Sequence, residues 1–137
     1  MHAAIAQCDI ALPGAEDVAA LTGMTEPRAI LDFYQRLGPR IVVLKLGAAG
    51  AWLAAGEERW RIPPYPVRAV DAAGAGDVFA GAFLARLLAG EAALAAARHA
   101  AVAAALACTG LGCVTPIPRR ETVAAALAAW AQEPTAG

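Results

Sequence analysis

Two aspartates six residues apart, Asp71 and Asp77, bracket Gly74-Ala75-Gly76, and an apolar helical pattern runs straight on through Val78, Phe79, Phe83 and Leu84. Small residues between the acids let the backbone approach a ligand closely. A helix that starts near Gly76 aims unpaired N–H groups and the positive end of its dipole at whatever sits there. An anion suits that position. A carboxylate beside it, Asp77, is placed to accept the proton of a hydroxyl that attacks phosphorus, so the stretch is a candidate phosphoryl-transfer site. The plainer reading makes Asp77 a helix cap after a glycine turn. Two acids around Gly-Ala-Gly, with small residues continuing into the helix, favour the chemical one.

The same residues, Asp71-Ala-Ala-Gly-Ala-Gly-Asp77 followed by Val-Phe-Ala-Gly-Ala-Phe, resemble the C-terminal signature of the ribokinase-like (PfkB) carbohydrate kinases, usually Asp-Thr-x-Gly-Ala-Gly-Asp. Ala72 stands where threonine is usual. The resemblance implies Asp77 as catalytic base and the backbone of Gly74, Ala75 and Gly76 as the anion hole. It implies ATP and Mg2+ as cofactors, with a monovalent cation such as K+ held near Asp71. Lys45-Leu-Gly47-Ala-Ala-Gly50 is similar to the family's passage beside the nucleotide phosphates and ribose, and Gly112 falls in a glycine passage near the base. Where the family carries Asn-x-x-Glu to organise magnesium through water, this chain has Gly14 and Asp17. The wording Asp-Ile-Ala-Leu-Pro-Gly-Ala-Glu-Asp is closer to the 2-keto-3-deoxygluconate kinase branch than to ribokinase itself.

Composition narrows the class independently. With 137 residues, the chain has room for one domain with a real core. The formal charge is −1, from 11 basic and 12 acidic side chains, which gives no nucleic-acid footprint; anion binding must come from local geometry. Hydrophobic residues make up 59%, inflated by alanine. The longest apolar tract, residues 92–108, is interrupted by Arg98 and His99 and is short for a membrane span, so it reads as a buried helix. Met-His-Ala-Ala-Ile-Ala-Gln lacks the pattern of a signal peptide. Cys8, Cys108 and Cys113 form neither a disulfide framework nor a zinc pattern, and reduced thiols in the cytoplasm are the simplest reading.

The elements that must position these residues follow in order. Residues 8–12 read as a short strand closed by Pro13-Gly14, and a helix follows with Glu16 and Asp17 in its first turn and Gly23 at its end. A second helix opens at Thr25-Glu26-Pro27 and closes at Gly38-Pro39, and Ile41-Val42-Val43-Leu44 is a strand covered on both faces. Strand, helix and strand predict a parallel pair, with Lys45 leaving its carboxyl end, where ligands of open α/β sheets gather. Residues 51–54 and 59–62 predict a hairpin, with Trp52 and Trp60 as sheet-face residues. After the stiff Pro63-Pro64-Tyr65-Pro66 connector and the signature helix, a second alanine-rich helix is expected from Glu91 to about Cys108. His99 on it reads as structural. A glycine loop, a last helix from Pro118 with Val123, Leu127 and Trp130 inward, and a tail from Glu133 complete the chain.

These readings add up to an α/β fold: residues 1–137 as the C-terminal portion of a single ribokinase-like kinase domain, a three-layer α/β/α fold with a mostly parallel sheet. The family's first glycine signature, most of its sugar contacts and its lid have no counterpart here, so the chain reads as a truncated product or fragment. An uncovered sheet edge and helix faces are then expected to aggregate or to pair as a homodimer. The expected activity is ATP-dependent phosphoryl transfer to a hydroxyl of a sugar or sugar acid, with no nucleic-acid or membrane partner. The alternative is a non-catalytic nucleotide-binding or subunit-interaction fragment, and a nucleoside or vitamin kinase of the same superfamily fits the wording less well.

Overall fold

A short helix, α1 (His2–Ile5), leads to β1 (Ile10–Ala11), the strand expected ahead of Pro13-Gly14. The computed structural model describes residues 2–137. Helix α2 (Ala15–Thr22) carries Glu16 and Asp17 in its first turn, where negative charge offsets the dipole, and ends at Gly23 in the left-handed conformation, φ 72°. Helix α3 (Pro27–Leu37) is capped by Glu26, whose carboxylate accepts from the N–H groups of Arg28 and Ala29. Ile30, Leu31 and Tyr34 form its buried face.

The β-branched run becomes β2 (Ile41–Lys45), with Val42, Val43 and Leu44 fully buried, as a strand covered on both faces must be. It pairs parallel with β1. β3 (Ala51–Ala55) and β4 (Glu58–Ile62) form the expected hairpin around Gly56-Glu57. Helices α4 (Ala75–Leu88), α5 (Ala93–Ala107) and α6 (Arg120–Ala129) follow, and the chain ends in β5 (Thr135–Ala136).

The α/β class stands, and the sheet departs from expectation in its directions. Its order is β1-β2-β3-β4-β5; only β1 and β2 run parallel, and the other three pairings are antiparallel. The reason lies in the connections. A parallel neighbour needs a crossover of about a dozen residues or more, whereas only residues 46–50 link β2 to β3 and only Gly56-Glu57 links β3 to β4. The tail is a second departure: Thr135–Ala136 pairs with β4, and the Gly137 N–H donates to the Arg59 carbonyl at 2.8 Å. Two residues carry no alternation from which a strand could be read. What orders them is an edge with unpaired backbone groups.

The described residues fall into two compact units. The first ends at Ile62 and takes back Pro134–Gly137; the second is Pro63–Glu133. In the first, α3 packs on β2 and β3, and Ile30, Leu31, Tyr34, Val42 and Leu44 form the core, with Trp52 against it. In the second, α4 and α5 pack against each other, and their buried faces carry small side chains on α5, among them Ala96, Ala97, Ala100 and Ala103, and Phe79 and Phe83 on α4. Helix α5 starts at Ala93 rather than Glu91 because Gly90 takes φ 88° and the Glu91 N–H still bonds back to the Arg86 carbonyl. Tyr65 of the proline connector meets Trp130 edge to face at 5.5 Å. No helix of the described residues is long and apolar enough to cross a membrane.

Leu44 is fully buried immediately before Lys45. Leu44→Ala should destabilise the chain by about 2–5 kcal/mol, read as a lowered urea midpoint with little change in slope.

Candidate active site

In the second unit the site is built on a turn held at both ends. The N–H groups of Val70 and Asp71 donate to the carbonyl of Cys108, just past the end of α5, at 2.7 and 3.2 Å. The Asp71 carboxylate then closes the turn: Oδ1 accepts from the Ala73 N–H and Oδ2 from the Gly112 N–H, each at 2.9 Å. These two bonds, first Ala73 and then Gly112, hold its pKa below the usual carboxylate range. Asp71 and Gly112 are thus brought into direct contact across 41 residues. Cys108 feels the same arrangement in the other direction, since burial and then the Asp71 charge push its thiol up.

The turn delivers Gly74 as the residue before α4, at φ 74° in the left-handed region that favours glycine. A Cβ on Gly74 would lie 2.7 Å from that of Cys113, so the glycine is required twice over. Of the three expected anion-hole groups, the Ala75 N–H is turned to the Ala72 carbonyl at 3.2 Å. The N–H groups of Gly74 and Gly76 have no acceptor among the described residues. Asp77 follows in the first turn of α4, its own N–H bonded to the Gly74 carbonyl at 3.0 Å. Its carboxylate is exposed, caps nothing and has no partner among the described residues. That removes the plain capping role. What remains is a free carboxylate beside two free N–H donors at the positive end of a 14-residue helix.

In the first unit Asp17 and Lys45 line one hollow of 480 Å³ at the carboxyl ends of β1 and β2, together with Gly14 and Tyr34. The Lys45 N–H donates to the Pro13 carbonyl at 2.9 Å, which extends the parallel pairing to Gly14. A Cβ on Gly14 would come within 3.1 Å of the Asp17 carboxylate, so glycine leaves that carboxylate its room. The Lys45 ammonium makes no ion pair among the described residues. Gly47 opens a 3-10 turn over residues 47–49, and the Leu46 N–H closes the loop on the Gly50 carbonyl at 2.9 Å. Tyr34 had no signal beyond its place on an apolar helix face. Burial, and then the Asp17 charge, raise its phenol.

No cluster of three or more histidine, cysteine or acidic side chains capable of holding a metal occurs among the described residues. Asp17 is a single carboxylate, which suits an ion that arrives with phosphate oxygens and keeps its waters. Asp71 spends one lone pair of each oxygen on an N–H and keeps the others.

Residues 1–120 match the pfkB family carbohydrate kinase. The chain is 33% identical over 118 residues to the 2-dehydro-3-deoxygluconokinase of Bacillus subtilis, which covers 85% of this chain and 36% of that protein. Among solved structures it resembles the ribokinase of Thermotoga maritima, with a TM-score of 0.84 and 34% identity over 90% of this chain and 43% of the other. It is equally similar, at a TM-score of 0.84 and 29% identity, to a candidate ribokinase II from E. coli in complex with ATP and Mg2+; there 93% of this chain and 41% of the other are covered. The chain spans less than half the length of these relatives. It belongs to the pfkB family of carbohydrate kinases, and its fold is ribokinase-like.

The Asp71 bonds give a direct pH test. A carboxylate whose pKa is lowered in the folded state contributes stability above its unfolded pKa, and loses it as pH falls through the folded one. The Ala73 and Gly112 amide resonances should therefore titrate together, with a midpoint below the ordinary aspartate value of 3.8. Asp71→Asn should abolish that shared transition, and separate midpoints for the two amides would show that the carboxylate does not join them.

Proposed function

We propose that this member of the pfkB family takes part in ATP-dependent phosphoryl transfer to a hydroxyl of a sugar or sugar acid. The observation that carries the reading is the Asp77 carboxylate, exposed and unpartnered beside the free N–H groups of Gly74 and Gly76. Asp77 takes the proton of the acceptor hydroxyl as its oxygen attacks the γ-phosphorus. The bond from phosphorus to the bridging oxygen breaks, and ADP leaves with the bonding electrons. The two N–H groups stabilise negative charge on the transferring group without having to reorganise, because the turn that aims them is already tied down.

Lys45, Gly47 and Gly50 serve the nucleotide, the lysine as a cation for phosphate and the glycines as close-approaching backbone. Asp17 would be the residue that holds magnesium, and the ion would supply charge neutralisation at the phosphates. Gly112 acts near the base through its backbone. Asp71 is first a positioning residue, and its remaining lone pairs are available to a monovalent cation such as K+. The likeness to a 2-dehydro-3-deoxygluconokinase supports a sugar acid as acceptor, and the reaction belongs in the cytoplasm, where ATP is supplied.

Calorimetric titration with ATP and magnesium tests the binding half. Wild type and Asp77→Asn should both bind, and Gly76→Val should not, since its side chain crowds the donor pair. In a complete kinase carrying this segment, Asp77→Asn should lower kcat by about 10²–10⁴ while nucleotide affinity stays within a factor of a few. Binding without transfer by the wild type in any context would favour a nucleotide-binding piece over a kinase. No binding by the wild type would remove the proposal.

A further inference from the structure

The second unit carries a pocket that none of these roles uses. It measures 390 Å³ and is lined by Arg86 of α4, Glu91 of the turn after it, Arg98 and His99 of α5, and Arg120 of α6, over a floor of alanine and leucine side chains. Three guanidinium groups thus face one carboxylate. That carboxylate is already engaged, because Glu91 pairs with Arg86. Arg98 is held from outside by Glu133 at 3.1 Å and lies over the Trp130 ring at 5.3 Å. Arg120 has no hydrogen-bond or ion-pair partner among the described residues. Arg86 and Arg98 each keep a buried Nε–H without an acceptor. His99 is 9% exposed, and neither ring nitrogen has a hydrogen-bond partner among the described residues.

Stability alone does not call for this arrangement. A buried imidazole without a hydrogen-bond partner and two buried Nε–H groups without acceptors among the described residues lose hydration with no compensating bond, and apolar side chains of similar size would serve the helix packing better. At the N-terminus of α6, Arg119 and Arg120 stand where the helix dipole is also positive, with Glu121 as the acid of that turn. We propose that this pocket binds a phosphate dianion, free or as the terminal group of a small phosphate monoester, with Arg120 and His99 as its principal contacts. Arg86 is paired with Glu91 and Arg98 with Glu133, so Arg120 is the arginine left without an acid among the described residues; a protonated His99 would be the second positive charge that a dianion meets, and the volume admits a small phosphorylated molecule rather than a polymer.

The imidazole supplies the readout. Burial, and then the Arg86 charge, hold the His99 pKa below its usual value; Glu91 opposes this and Arg120 adds to it. A dianion at the pocket reverses the sign of the local field, so binding should draw a proton onto His99 and strengthen as pH falls. The chain has two histidines, and His99→Gln identifies the resonance that belongs to the pocket.

The experiment follows the His99 imidazole by NMR against pH, with and without inorganic phosphate, and repeats the titration with glycerol 3-phosphate. Saturating phosphate or monoester should raise the His99 midpoint by about one unit. Arg120→Gln, an exposed position, should weaken the apparent affinity about tenfold. Gly76→Val must leave the His99 response intact, which separates this pocket from the donor pair at the start of α4 and makes the test independent of the kinase reading. A His99 midpoint unmoved by both probes, equal affinity in wild type and Arg120→Gln, or loss of the response in Gly76→Val would each overturn the proposal.

Discussion

The Asp71 carboxylate is the constraint on which the second unit's chemistry depends. One side chain satisfies an N–H in its own turn and another in the glycine loop 41 residues later, while the backbone N–H groups of Asp71 and of Val70 before it are bonded to the carbonyl of Cys108 at the end of α5. Without that joint, residues 70–74 would be an unsupported glycine turn in front of a helix, and the donors of Gly74 and Gly76 would sample many directions. A pair of N–H groups stabilises a developing charge only if its orientation is fixed before the charge appears. The order of this turn comes from an acid whose two accepted bonds both lie within the protein.

Much of this was legible in the sequence because the residues involved are local in the chain. Asp71, the glycines and Asp77 lie within one short stretch, and Pro13-Gly14, Gly23 and Glu26-Pro27 mark helix boundaries that the fold respects. The contacts that were not legible are the distant ones. Nothing in Gly110-Leu111-Gly112-Cys113 says that one glycine N–H will reach back to Asp71, or that Cys113 will fill the space beside Gly74. The parallel β1–β2 pair and the β3–β4 hairpin were both legible, and the departure lies in how little of the sheet is parallel. The resemblance suggested a mostly parallel sheet, and the loop lengths that forbid it over β2 to β4 had to be weighed strand by strand.

The arginines show another limit of pattern reading. Arg86, Arg98 and Arg120 each sit on a different helix, at spacings that carry no motif, and His99 looked like a structural residue on an alanine-rich helix. Packing is what gathers them. The unit therefore has two electropositive features of different origin. One is made of backbone N–H groups at the start of α4, and the other is made of side chains around a hollow that includes Arg86 in the last turn of the same helix.

Helix α5 buries a face made almost wholly of methyl groups. Alanine loses no rotamer freedom when it is packed, so the order of that face is cheap in side-chain entropy, but each contact removes little hydrocarbon from water. The heat capacity of unfolding follows the hydrocarbon exposed. A unit assembled this way should have a shallow, broad stability curve, one that changes less between cold and warm conditions than a core of leucine and isoleucine of equal length would.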